Sequence, residues 1–274
     1  MPNPKEKYVT NPESDPAGQR VEFYNQEGEK LVGVWHRPQG QPGRPVIVFS
    51  HGFRGNKEGV NGQAVALADK LCQDGYPVLR FDYHGIGESE GNFKDVTLTK
   101  CCQDLSSALD LVSELVLGNQ VIVAGHSFGG VVAVTLAARD PRITGMILVS
   151  TPKDQEQSFA YVFGEEAAAK LNQGLTVTLR DFQGEYQLSP AVVADMKAYD
   201  LLADIARIPP RPILFIYGDQ DNMARTCQAP ALVAAAGQPK ELVVIEEGNH
   251  FLMGQVPKVH QAITAWLAHH FNRR

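Results

Sequence analysis

A chain of 274 residues can form one large domain or two small ones, and can bury roughly 70–75% of the surface that its unfolded form exposes. Hydrophobic residues make up 43% and charged residues 20%, ordinary globular usage, while a net charge of −6 with no Lys/Arg cluster argues against a nucleic-acid partner. No apolar run approaches the ~18 residues of a membrane span, and the four cysteines (Cys72, Cys101, Cys102 and Cys227) form no CxxC pair and read as small buried thiols of a reducing compartment.

The first 18 residues, "MPNPKEKYVTNPESDPAG", are polar and proline-rich and read as a flexible arm. They contain no hydrophobic segment of a signal peptide, so a cytoplasmic location is expected. "RVEFYNQ" and "KLVGVWHR" flank Glu27-Gly28 and form an opening hairpin. From Pro45 onward short apolar runs alternate with helical stretches. The runs are "PVIVFS", "YPVLRFDY", "QVIVAG", "ITGMILVS", "RPILFIYG" and "ELVVIEE"; helices are predicted over 60–74, 96–117, 128–139, 224–236 and 256–271. Strands that are apolar on both faces and joined by helices belong in a mostly parallel sheet covered on both sides, an α/β architecture.

Residues 151–210 interrupt the alternation. They hold a helical patch ("GEEAAAKLNQ"), a hairpin-like piece ("LTVTLRDFQGEYQLS") and a further helix ("PAVVADMKAYDLLADI"), the layout of a cap inserted at the rim of the sheet. The alternation resumes after Arg211, so residues 19–274 are expected to be a single domain with the cap at about 151–210.

Between the strand "QVIVAG" and the helix after it lies "GHSFG", residues Gly125 to Gly129. A G-x-S-x-G turn between strand and helix is a nucleophile elbow, in which Ser127 stands clear of its neighbours. The glycines leave room for a tight turn that bulkier side chains would block. The helix after it also aims backbone N–H groups and a positive dipole end at the same spot.

On this motif and its setting the chain resembles the α/β-hydrolase fold family, serine esterase type, from about residue 20 to the C-terminus. The resemblance implies Ser127 as nucleophile, followed in chain order by an acid and a histidine base. Asp221, in "GDQD" after the strand "RPILFIYG", matches the family's acid loop; Asp219 is the near alternative. His250, in "GNHFL" after "ELVVIEE", matches the base, and histidine is the side chain suited to shuttling protons near neutral pH. His126 lies beside the nucleophile and points away from it, so it reads as a packed or surface residue.

"SHGFRG" resembles the family's HG-x-x-G loop, which implies that the backbone N–H groups of Phe53 and Phe128 face a developing oxyanion, with His51 holding the loop through a hydrogen bond. "DYHGIGESEG" resembles a structural turn of the family and does not match the dinucleotide fingerprint. No cofactor and no metal are expected. The implied activity is cleavage of a small-molecule carboxylic ester through an acyl-enzyme, and the cap layout resembles feruloyl and cinnamoyl esterases. Its aromatics, Phe159, Tyr161, Phe163, Phe182, Tyr186 and Tyr199, serve an aryl-binding wall and ordinary packing equally well. A thioesterase or a monoacylglycerol lipase would carry the same motifs, and a catalytically silent binding scaffold is the alternative from another class.

Overall fold

The computed structural model describes residues 9–10, 18–39, 43–181, 184–226 and 228–271. Phe182 and Cys227, named above, lie outside the described residues, as does most of the N-terminal arm. Within that arm Val9–Thr10 (β1) pairs antiparallel with Gln19–Tyr24 (β2), which makes the predicted hairpin with Lys30–His36 (β3). There follow Val46–Ser50 (β4), Gln63–Gln73 (α1), Val78–Phe81 (β5), Leu98–Leu115 (α2), Val121–His126 (β6), Phe128–Ala137 (α3) and Ile143–Val149 (β7).

Residues 151–210 carry Gln155–Phe163 (α4), Glu165–Asn172 (α5), the hairpin Val177–Asp181 (β8) and Gly184–Leu188 (β9), Ala191–Met196 (α6) and Leu201–Ala206 (α7). The chain then returns through Ile213–Gly218 (β10), Asn222–Thr226 (α8), Ala229–Ala235 (α9), Lys240–Ile245 (β11) and Val256–His270 (α10).

Nine strands form one sheet in the order β1-β2-β3-β5-β4-β6-β7-β10-β11, and β8 and β9 pair separately. From β5 to β11 all pairs are parallel; the antiparallel pairs lie at the β1 end. Alternate residues of each central strand serve opposite faces. Val46, Val48, Val121, Val123, Met146 and Phe215 join the core under α2, α3, α9 and the 151–210 segment. Ile47, Ile122, Ile147 and Leu214 join the core under α1 and α10. The fold is thus the expected mostly parallel sheet with helices on both faces.

Two helices differ from the sequence reading. The stretch from Val60 begins as a 3₁₀ turn, and the left-handed backbone at Asn61 (φ 53°) and Gly62 (φ 72°) delays α1 to Gln63. The helix expected over 224–236 is two: Gln228, at φ 59°, breaks it, and Pro230 opens α9 in the first turn, where its missing N–H costs nothing.

Candidate active site

Strand β6 runs up the middle of the sheet and ends at Ser127, which caps α3 with φ 52° and ψ −120°. This strained conformation turns the chain within one residue and exists because the surroundings leave no other path. A Cβ at Gly125 would stand 2.5 Å from the Gly129 carbonyl oxygen, and one at Gly129 would stand 2.0 Å from that of Ser50. Bare backbones therefore pass each other where strand, turn and helix cross. Ser50 secures the crossing by donating its hydroxyl to the Gly129 carbonyl at 2.7 Å.

The loop after β11 brings His250 Nε2 to 3.0 Å from Ser127 Oγ. The turn after β10 places both carboxylate oxygens of Asp221 at 3.0 Å from His250 Nδ1. Asp221 is 1% exposed and also accepts the Ala224 N–H at 2.8 Å. Burial works to raise its pKa, but the hydrogen bond and charge of His250 and the Ala224 N–H outweigh that effect and hold the carboxyl below its ordinary value. Asp219, on the same turn, is exposed. Of the two acids, the structure brings Asp221 to His250.

Two other histidines near Ser127 have both roles and protons assigned by their partners. His51 accepts the Tyr83 N–H at Nε2 (3.2 Å) and donates from Nδ1 to the Gly52 carbonyl (2.9 Å), so it ties the loop after β4 to the chain after β5. Burial lowers its pKa. His126 gives its Nε2 proton to the His250 carbonyl at 3.0 Å, and its ring centroid lies 5.3 Å from that of His250. Burial, with a smaller push from His250, brings His126 down to about 4 and keeps it neutral at pH 7. Its contact with the His250 loop joins residues 124 apart, which no local pattern in the sequence announces.

Among the described residues the N–H groups of Phe53 and Phe128 meet no acceptor. The Phe53 ring sits in an aromatic cluster, 5.3 Å from Phe128, 5.2 Å from Phe159 and 5.7 Å from Phe163. Its neighbour Arg54, at φ 58°, reaches the β8–β9 hairpin. There Nε and Nη2 donate to the two oxygens of Asp181, each at 3.0 Å, and the guanidinium lies 3.8 Å over the Tyr186 ring. From the other side Asp82 accepts the Lys57 N–H at 2.7 Å and its ammonium at 2.8 Å. The loop carrying Phe53 is thus held at both ends by charged pairs. Sequence reading missed both pairs.

Ser127, His250 and this loop open on a cavity of about 600 Å³ lined mainly by apolar side chains. Of the aromatics of residues 151–210, Phe159, Phe163 and Tyr186 line it; Tyr161 is exposed, and Tyr199 bonds Thr99 of α2 at 2.6 Å. Among the described residues the one carboxylate in the lining is Asp181, already engaged by Arg54. At the far end of α10, His269 and His270 both meet Glu241, at 3.0 and 2.8 Å. No helix among the described residues is long and apolar enough to cross a membrane.

The model of the family described as serine aminopeptidase, S33, matches residues 41–204. Human monoglyceride lipase is 26% identical over 277 residues, which cover 92% of this chain and 90% of the lipase. The mouse mitochondrial palmitoyl-protein thioesterase ABHD10 is 37% identical over 112 residues, 40% of this chain; the match spans only about a third of that protein's length, 35%. Among solved structures, ferulic acid-bound Est1E from Butyrivibrio proteoclasticus superposes with a TM-score of 0.74 at 24% identity, covering 90% of this chain and 98% of that one. The hydrolase GrgF from Penicillium sp. sh18 does so with a TM-score of 0.75 at 20% identity, over 93% and 99% of the two chains. These structural likenesses show a common fold.

Proposed function

This chain belongs to the α/β-hydrolase family described as serine aminopeptidase, S33, and on that premise we propose that it is a serine hydrolase that cleaves carboxylic esters through an acyl-enzyme on Ser127. The observation that carries this reading is the line of 3.0 Å contacts from Ser127 through His250 to Asp221, opening on an apolar cavity. Monoglyceride lipase, matched over about nine-tenths of the chain, supports an ester substrate, while the thioesterase ABHD10, matched over 40% of it, makes the thioester the alternative.

In this mechanism His250 Nε2 takes the Ser127 proton as Oγ adds to the ester carbonyl, while Asp221 holds the Nδ1–H tautomer and favours the imidazolium. The carbonyl oxygen gathers negative charge facing the N–H groups of Phe53 and Phe128, each such donor contributing about 10²–10³ in turnover. His250 then passes the proton to the departing alkoxide, which leaves as the alcohol. Water, deprotonated by the same nitrogen, attacks the acyl-enzyme and releases the acid and Ser127.

A fluorophosphonate probe should label the protein and fail to label Ser127→Ala; labelling that persists in that variant would overturn the assignment. Asp221→Asn should lower kcat by about 10⁴, the usual cost of the wrong histidine tautomer, and Asp219→Asn should leave it within a factor of about three. A silent scaffold would ignore the probe. Peptide cleavage, the other reading that the family's description raises, needs a free acidic group to hold a substrate's α-ammonium. Asp181 is the sole lining carboxylate among the described residues and is paired with Arg54. Activity on p-nitrophenyl esters without activity on aminoacyl p-nitroanilides is therefore expected. Matched oxygen and sulfur esters separate the esterase from the thioesterase alternative.

A further inference from the structure

The side chains lining the cavity fall into two groups about Ser127, one packed with each face of the sheet, and so bound two lobes. One lies on the cap side, beside Phe53, Phe159, Phe163 and Tyr186. The other is bounded by His126 and by side chains on the opposite face of the sheet. Its floor is Phe49, Ala124 and Val149, from the ends of β4, β6 and β7, and it is roofed by Leu67 of α1 and Val256 and Val259 of α10.

The floor residues are only partly buried, although β4, β6 and β7 are interior strands with a partner on each side. Elsewhere on β6 the apolar side chains are bulky and closed off: Ile122 and Val123 have no exposure. At Ala124 the register sets Phe49 on one side and Ile147 on the other, so the row across the sheet reads large, small, large. A methyl group where a branched side chain would close the layer leaves open apolar space under α1 and α10. Packed interiors do not keep such space without loss, because unfilled volume forfeits dispersion contacts and stability.

We propose that this second lobe is a subsite for an unbranched alkyl chain, carried on one side of the scissile ester, with the more compact or aromatic half in the cap lobe. The proposal rests on the reading of Ser127 as nucleophile and names the substrate class for that site. The chain replaces water along an apolar channel, and each methylene so buried should raise kcat/KM about three- to fourfold until the lobe is full. The chain can belong to the acyl half or to the alcohol half of the ester; the chemistry of the lobe is the same for both.

Two ester series distinguish the halves: p-nitrophenyl acetate to octanoate, and methyl to octyl acetate. In the wild-type protein kcat/KM should climb with length in one of them. Ala124→Leu, which fills the floor, should cut the long-to-short ratio in that series at least tenfold. Leu67→Ala, which enlarges the roof, should move the preferred length upward. Probe labelling of Ser127 reports that each variant is folded, and should Ala124→Leu fail to fold, the shift in Leu67→Ala decides alone. A wild-type protein that labels normally yet shows no length dependence in either series, or variants that leave both ratios unchanged, would overturn the alkyl subsite while leaving the hydrolase reading intact. Failure of the wild-type protein to label would instead remove the hydrolase reading itself.

Discussion

A methyl group added at Gly129 would meet the Ser50 carbonyl 2.0 Å away, and the atom it strikes is backbone that cannot swing aside. Gly129→Ala should therefore destabilise the fold by about 3 kcal/mol or more, the upper range for overpacking, read as a lower urea midpoint at unchanged slope. This constraint was legible in "GHSFG", because a motif that forces backbone against backbone must be written locally. Ser127, Asp221 and His250 were legible for a related reason: each sits in a short loop just past an apolar strand, in the order the family uses. His126 was not. Its position beside the serine gave no sign that its Nε2–H would fasten the carbonyl of His250.

At the scale of elements, the β8–β9 hairpin and the loop after β4 are joined by the Arg54–Asp181 fork with Tyr186 beneath it. Both partners are substantially shielded, with side chains 15% and 25% exposed, so the pair is less screened than a surface one. Because Arg54 follows Phe53 directly, loosening the fork should shift the Phe53 N–H, which we propose faces the oxyanion, more than it weakens the fold. Asp181→Ala should lower kcat about tenfold with a smaller change in KM, while Tm moves by no more than a few degrees. Arg54→Lys should not restore kcat in full, since an ammonium cannot make the two parallel bonds. None of this was legible beforehand, for the partners are 127 residues apart and nothing local says where the hairpin tip will land. The break between α8 and α9 is not written in the helical periodicity of 224–236, which runs through Pro230, a residue that a first helical turn accepts.

Over the whole molecule, the alternation of apolar strands and helices sufficed to foretell the sheet and its two covered faces, since burial on both sides leaves a continuous apolar run. Three histidines with lowered pKa values, His36 buried and His51 and His126 part-buried, shape its response to acid. His36 accepts a hydrogen bond from Arg80 at Nε2 (2.9 Å); burial and then the guanidinium lower it to about 4, as burial does for His126. His51 is lowered in the same way. The unfolded chain takes up these protons below about pH 6.5, whereas His36 and His126 in the folded chain refuse them until about pH 4. Stability is thus complete above about pH 6.5 and falls between there and pH 4, each group contributing up to about 1.4 kcal/mol per pH unit. Urea midpoints between pH 7 and 5 check this, and His36→Gln should flatten the slope. The strand order has one more consequence. Among the described residues β11 is the outermost strand, hydrogen-bonded along one side only, and the imidazole rides on the loop just beyond it, while Ser127 stems from the centre. Margins of a sheet fray before its middle, so dilute denaturant should silence turnover while the fluorescence of Trp35, buried across the molecule in β3, still reports an intact frame.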